Sequence, residues 1–427
     1  MSDRKGLQME FSYVRCRVAE TLPLELAPGS PAKRLRAAGN SQSFGPIPGR
    51  TKFALQIQHP PFLHNGNQNN SIHHRTTPPT FPAHTFAKLA PPTYLTAHLT
   101  SKGVPIRPSG RSPTQFRTPT CHAGSLTHAH GSAVVRCGDT AGVCGVRGEI
   151  LRVEDVADYR PKMAEEEERV DTEMHSFQNV RREKREDSEE MARLGLLVPN
   201  LELATGCSPT HLPGGPPSTL AQTLSQRILT LLHTSNLLSV HDLRIWFRPP
   251  ASAPICRGQE HEVMREEEEE IVKAEVKAFW VLYIDILFIS LDGNPFDAAC
   301  FALLAALCNT RLPHAWYDAD RELVLCSDDP AESKQLHLYD MPVPLSFGVF
   351  EGDEEAKGKK WILADMDGFE EGLCRENVTI VVGEEKRVVR IEKDGGGNVG
   401  GRDMRRLVEL AVQRRREWVL MLRDGPP

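Results

Sequence analysis

The chain has 427 residues, too many for one average core and enough for two or three at about 100 to 150 residues each. Charged residues make up 25% and apolar residues 40%, which excludes fibrous, collagen-like and wholly disordered classes. The net charge of -6, from 51 Lys plus Arg against 57 Asp plus Glu, does not by itself point to nucleic acid.

Residues 1–82 carry 10 basic and 4 acidic side chains and are rich in Pro, Gly, Asn, Gln, Ser and His. With no sustained period they bury too little apolar surface to offset chain entropy, so a disordered amino-terminal extension is expected. The folded body starts near Phe86, taking 83–423 as its bounds. Pro91 and Pro92 open a short helix over Thr93 to Leu99, and Ile106 to Arg111 reads as an extended segment and turn. Gly124, Gly131, Gly138 and Gly145 punctuate two hairpin strands, Ser132 to Arg136 and Gly142 to Val146.

Residues 160–193 switch to dense charge, including Glu165 to Glu168 and Arg181 to Asp187, and read as a solvated helix or flexible insertion. A strand follows over Leu196 to Leu203, then a loop over Pro213 to Ser218. Thr219 to His233 places Leu220, Leu224, Ile228, Leu231 and Leu232 at helical spacing, giving an amphipathic helix. An acidic loop spans 249–272 and contains Glu266 to Glu270.

Ala278 to Leu291 is the most apolar stretch. It is about 14 residues and carries Asp285, whereas a membrane helix needs about 20, so a buried strand is expected and no membrane partner. Asp292-Gly293-Asn294 turns the chain into an Ala- and Leu-rich helix, Phe296 to Cys308, making a βα unit. Strands are expected at Leu323 to Cys326, Leu345 to Phe350, Trp361 to Ala364, Val378 to Val382 and Val388 to Lys393. The last helix runs from Asp403 to Leu422. Strands with interposed helices place the fold in the α+β class.

The ten cysteines contain no C-x-x-C pair, so reduced thiols in an intracellular compartment are expected and structural zinc is not. His122, His128 and His130 beside Cys121 likewise lack zinc spacing. The amino terminus has no continuous apolar run, so no secretory signal is expected.

Several segments, in order, resemble RNase PH-type proteins: Ile106 to Arg111, Gly124-Ser125-Leu126, Gly131 to Val135, Gly145-Val146, Asp292 to Ala299, and the Gly395-Gly396-Gly397 turn before a helix. Among these the chain is most similar to the non-catalytic ring subunits of the eukaryotic RNA exosome, through Val198-Pro199-Asn200, Cys207-Ser208-Pro209 and Gly215 to Ser218. The resemblance implies an RNase PH-like duplicated βαβ-type fold, with mixed sheets and packed helices. It also implies a ring of RNase PH-type subunits around an RNA path, RNA-binding cap subunits, a separate catalytic nuclease, and work in the nucleus, nucleolus and cytoplasm.

Active members of that family cleave RNA with inorganic phosphate, which requires phosphate-binding cations and carboxylates that hold a metal or move a proton. The matching acids are Asp365, Asp367 and Glu371, with Glu371 in place of the usual Asp. Two carboxylates two residues apart on one strand would share a face. The phosphate half is poor: Arg227 is followed by Thr230 where a second arginine is expected, and Asn294-Pro295-Phe296 stands where active members carry a Gly-Thr-Arg type of turn. Pro295 removes an amide donor and Phe296 replaces a cation. The acids are therefore expected to be vestigial, with no cofactor. Arg107, Arg111, Arg117, Arg136, Arg147 and Arg227 are candidates for RNA backbone contact. Two alternatives stay open: an active phosphate-dependent 3′-to-5′ exoribonuclease using Asp365, Asp367 and Glu371, and a free-standing RNA-binding scaffold using residues 1–82.

Overall fold

A computed structural model describes residues 82–101, 103–157, 159, 177–212, 216, 218–249, 274–352, 358–396 and 399–424. Residues 1–81 of the amino-terminal extension expected over 1–82, the first part of the charged segment, and residues 250–272 of the acidic loop expected over 249–272 lie outside the described residues. In chain order the elements are α1 (Ala83–Leu89), α2 (Pro91–Thr100), β1 (Pro119–Ala123), β2 (Gly131–Cys137), β3 (Thr140–Arg152), α3 (Phe177–Leu194), β4 (Leu197–Leu203), α4 (Thr219–Ser235), β5 (Arg244–Phe247), β6 (Glu275–Ser290) and α5 (Pro295–Cys308). They continue with β7 (Arg311–Leu312), β8 (Ala315–Asp318), β9 (Leu323–Cys326), β10 (Lys334–Gln335), β11 (Val343–Glu351), β12 (Lys360–Ala364), α6 (Gly368–Glu371), β13 (Glu376–Val382), β14 (Val388–Gly395) and α7 (Gly401–Asp424). The fold is α+β.

The apolar stretch is the spine of the first sheet, whose order is β1-β2-β3-β6-β4, with β5 also paired to β6. Strand β6 runs antiparallel to β3, from Ala141 opposite Ser290 to Arg152 opposite Ala278, and parallel to β4. Every second side chain from Val276 to Phe288 is buried, as a period of two demands. Asp285 does not interrupt the strand because it points the other way, beside Leu287 and Ile289 on the exposed face, where Asn200 Nδ2 donates to it at 3.3 Å.

Helix α5 is buried from Pro295 through Leu307. A helix that is apolar all round must be enclosed on every side, and this one packs against β2 and β3 on one side and β11 on the other. The close approach sets a requirement at Gly131, where an added Cβ would lie 2.6 Å from the Ala306 carbonyl oxygen. The second sheet has the order β12-β11-β13-β14, all antiparallel. Helix α7 covers it through Leu407, Ala411 and Trp418, whose ring meets Phe301 at 4.6 Å. A smaller cluster joins Leu95 and Leu99 of α2 to Phe350, Trp361, Leu363 and Met366.

Two expectations are corrected. Helix α4 is capped by Ser218, whose Oγ accepts from the Ala221 amide at 3.1 Å. It buries Leu224, Ile228, Leu231 and Leu232, but Leu220, in the first turn, is 40% exposed. The charged segment, read as a solvated helix or flexible insertion, is a helix at its carboxy-terminal end but not wholly a solvated one: α3 buries Met191 and seats Glu190 against Arg244 in a buried ion pair at 3.0 Å. The short strands β5, β7, β8 and β10 have no counterpart in the sequence reading, since two to four residues are too few to display alternation.

Candidate functional site

Strand β12 delivers the expected acids, but not on one strand face. It ends at Ala364, and Asp365 adopts a left-handed φ of 48°, so the alternation stops one residue before the first carboxylate. Asp367 caps α6 instead: its Oδ1 accepts from the Glu370 amide at 2.9 Å, while Glu370 Oε2 accepts from the Asp367 amide at 3.2 Å. This reciprocal capping box commits Asp367 to the start of α6, although both carboxylates stay within reach of Arg111.

The Asp365 carboxylate is saturated. The Arg117 amide and Nε donate to Oδ2 at 2.8 and 3.0 Å, Arg117 Nη2 to Oδ1 at 2.8 Å, and Asn294 Nδ2 to Oδ1 at 2.8 Å. Burial alone would raise this carboxyl, but the hydrogen bonds and charge of Arg117 outweigh it and hold it below the usual range. Burial, then the neighbouring Glu370 charge, pushes Asp367 up. Glu371 is also raised by burial, and its Oε2 accepts from the Asn294 amide at 3.2 Å.

Three of the candidate RNA-binding arginines converge on these acids. Arg107 is corrected outright. It is 1% exposed; Nε donates to Glu370 Oε1 at 2.7 Å, Nη2 pairs with Oε2, and Nη1 and Nη2 donate to the carbonyls of Ala364 and Asp365 at 2.7 and 3.1 Å. A guanidinium sealed around its own loop meets no RNA. Arg111 lies within 3.7 to 3.8 Å of Asp365, Asp367 and Glu370, and donates to the Asp365 carbonyl at 2.9 Å. Burial, then the nearby Arg107, lowers its pKa. Arg117 donates also to the Asp292 carbonyl at 2.8 Å, tying β12 to the turn before α5. The remaining candidates stand apart. Arg136 and Arg147 are exposed on the first sheet, paired with Asp139 and Glu149 at 3.2 Å each.

The phosphate half of the site is filled by the chain itself. Helix α5 begins at Asn294, with Pro295 as its first residue and no amide there to offer. The Asn294 amide, which would face an anion, faces the Glu371 carboxylate instead. In the first turn Asp297 accepts from Asn294 Nδ2 at 2.9 Å, from the Ser346 amide at 2.8 Å and from Ser346 Oγ at 2.9 Å. Burial, against these hydrogen bonds, pushes its pKa up to about 6. The helix dipole is thus already occupied by a carboxylate of the same chain. Arg227 lies with its guanidinium 3.8 Å from the Phe296 ring centre, and its Nε donates to Glu392 Oε2 at 2.8 Å. Its charge is engaged within the second sheet.

The space left between these groups is a cavity of about 20 Å³ bounded by Phe116, Arg117, Asn294, Asp297, Asp365 and Arg414, room for about one water. Among the described residues no group of three or more His, Cys, Asp or Glu is placed to hold a metal ion. His130 serves the backbone, its Nδ1 accepting from the Gly148 amide at 2.9 Å. Sequence reasoning missed Glu370, Asn294 and Asp297 as members of this network. An Asp three residues after Asn294, in the first turn of an otherwise apolar helix, was the available signal for the last two.

Residues 115–313 match the model of the 3′ exoribonuclease family, domain 1. The chain is 31% identical over 326 residues to the exosome complex component rrp43 of Schizosaccharomyces pombe, covering 76% of this chain and 93% of that protein. It is 26% identical over 308 residues to the exosome complex component Rrp42 of Methanothermobacter thermautotrophicus, covering 72% and 86%. Among solved structures it is similar to a chain of the Archaeoglobus fulgidus exosome with RNA bound to the active site, with a TM-score of 0.49 and 22% identity over 76% of this chain and 94% of that one. Sequence motifs in family order and a relative matched over nearly its whole length agree: this chain belongs to the RNase PH-type 3′ exoribonuclease family.

Proposed function

We propose that the chain is a structural subunit of the RNA exosome ring, which helps form the RNA channel for 3′-to-5′ processing and degradation and performs no phosphorolysis itself. Its membership of a family whose relatives are named exosome components supports the ring role. One observation supports inactivity above the others: the Asn294 amide and the first turn of α5, where an attacking phosphate would need donors, are taken by Glu371 and Asp297. Phosphorolysis requires an anion held with an oxygen aimed at the terminal phosphodiester. The cavity there carries Asp297 and Asp365 beside Arg117 and Arg414, and Arg117 spends its charge on Asp365, which leaves a poor seat for that anion.

The partners in this reading are other RNase PH-type ring subunits, RNA-binding cap subunits, a separate catalytic nuclease and RNA, in the nucleus, nucleolus and cytoplasm. In a closed ring each subunit buries different faces on its two sides. Affinity purification of the full chain followed by peptide mass spectrometry is expected to return RNase PH-type subunits. A stable, soluble monomer that returns none refutes the ring role. The purified complex is then incubated with RNA, inorganic phosphate and magnesium. Any nucleoside diphosphate released is expected to be unaffected by Glu371→Gln or Asp365→Asn. Phosphate-dependent release that either substitution abolishes, with the complex still assembled, refutes inactivity.

A further inference from the structure

We propose that the outward face of α7 binds the phosphate backbone of single-stranded RNA, outside the candidate site and without regard to base sequence. This rests on the exosome reading, which makes RNA the polyanion at hand. At about 100° per residue, Arg402, Arg405, Arg406, Arg416 and Arg423 fall within one arc of about 100° and span about 31 Å of helix. All five are exposed. The buried Leu407, Ala411 and Trp418 lie on the opposite side. The acidic residues inside the arc are Glu409 and, at the carboxy-terminal end of the helix, Asp424.

A basic helix face is ordinarily a solvated one, and such a face usually carries its own counter-charges. Helix α3 shows that arrangement: exposed Arg182 and Arg185 pair one turn on with Glu186 and Glu189 at 2.8 and 3.0 Å. None of the five arginines on α7 has an ion-pair partner among the described residues. In a chain of net charge -6, a stripe whose arginines are unpaired and outnumber its acids is a local positive field that attracts an anion.

The stripe is also rigidly presented. Trp418 is packed on Phe301, Arg415 donates to the Met341 carbonyl at 3.2 Å, and Arg414 donates to the Arg117 carbonyl at the edge of the candidate site. Guanidinium forks held on such a rail suit a row of phosphates, each of which accepts paired donors. A folded protein partner would want a buried apolar anchor at the centre of its footprint. This arc offers Leu420 alone, so the complementary surface is a polyanion.

The test uses the complex purified through the full chain and a fluorescent single-stranded RNA, with affinity measured across a salt series. Replacing Arg402, Arg405, Arg406 and Arg416 together by Gln keeps helix-forming side chains and removes charge. The slope of log affinity against log salt is expected to become shallower by about 0.7 for each arginine that meets a phosphate, close to 3 for all four. Replacing the paired Arg182 and Arg185 by Gln is expected to leave the slope unchanged. An unchanged slope in the α7 variant overturns the proposal. So does a variant complex that loses a protein component while keeping its RNA affinity, since that assigns the face to a protein neighbour. Should the chain return no RNase PH-type partners, the ring reading fails, and the same slope comparison on the full chain alone still decides the role of the arginines.

Discussion

Replacing Arg107 by Met is expected to be among the most damaging single changes in this chain, although it removes a surface-type residue from a loop. The guanidinium and the Glu370 carboxylate are both fully buried. Arg107 also satisfies the carbonyls of Ala364 and Asp365. Removing it strips the buried Glu370 carboxylate of both its hydrogen bonds from the guanidinium and leaves Arg111, 3.8 Å away, as the counter-charge, which costs about 3 to 5 kcal/mol. At roughly 2 to 4 °C of melting temperature per kcal/mol, the loss is on the order of 10 °C. Glu370→Gln removes the stranded charge and still lets the amide oxygen accept from the Asp367 N–H. The double variant Arg107→Met/Glu370→Gln is therefore expected to recover about 2 kcal/mol or more of the loss. Thermal unfolding of the four proteins within the same purified complex, with hydrogen exchange of the 364–371 amides as a local reading, completes the cycle. A loss near 1 kcal/mol or less for Arg107→Met, the range of exposed pairs, would refute the buried pairing. Single and double variants that are equally unstable would refute the charge as its cause.

Asp297 should make stability depend on pH. Its carboxyl rises from 3.8 unfolded to about 6 folded, so between these values the folded state binds more protons. Stability then falls as pH rises from about 4 to 6, by on the order of 3 kcal/mol. Asp297→Asn keeps acceptors for Asn294 and the Ser346 amide and is expected to flatten that slope in denaturation curves at pH 4, 5, 6 and 7; an unaltered slope would assign the titration elsewhere. Gly131→Ala drives a methyl into the Ala306 carbonyl and Thr310 and is expected to cost about 1 to 3 kcal/mol, read by the same unfolding assay; a neutral change would mean that α5 has room to move. Cys137 is buried and its thiol is pushed up to about 12, chiefly by burial, so it should resist iodoacetamide at pH 7.5 until the chain is denatured; rapid labelling of the native protein would contradict its placement.

Much of the scaffold was readable from local pattern. The apolar stretch that became a buried strand, the helical spacing of Leu224, Ile228, Leu231 and Leu232, and the turn at Gly293 all depend on residues a few positions apart. Such signals survive in one dimension because strand and helix periods are local. The family motifs worked for the same reason, since each lies in one short segment. The acids at 365, 367 and 371 were likewise visible as a group.

What those charges do was decided only by the tertiary fold. Arg107 and Glu370 are 263 positions apart, Arg117 and Asp365 are 248 apart, and Asn294 meets Glu371 across 77. No periodicity links such residues, and an arginine is written the same way whether it waits for RNA or neutralises a buried carboxylate. The same limit divided the arginines of α7, where helical spacing told which share a face, but only packing told that Arg414 and Arg415 turn inward while the others remain unpaired. Pattern sets which side chains are neighbours along an element; the energy of a charge depends on what the rest of the chain brings within a few ångströms of it.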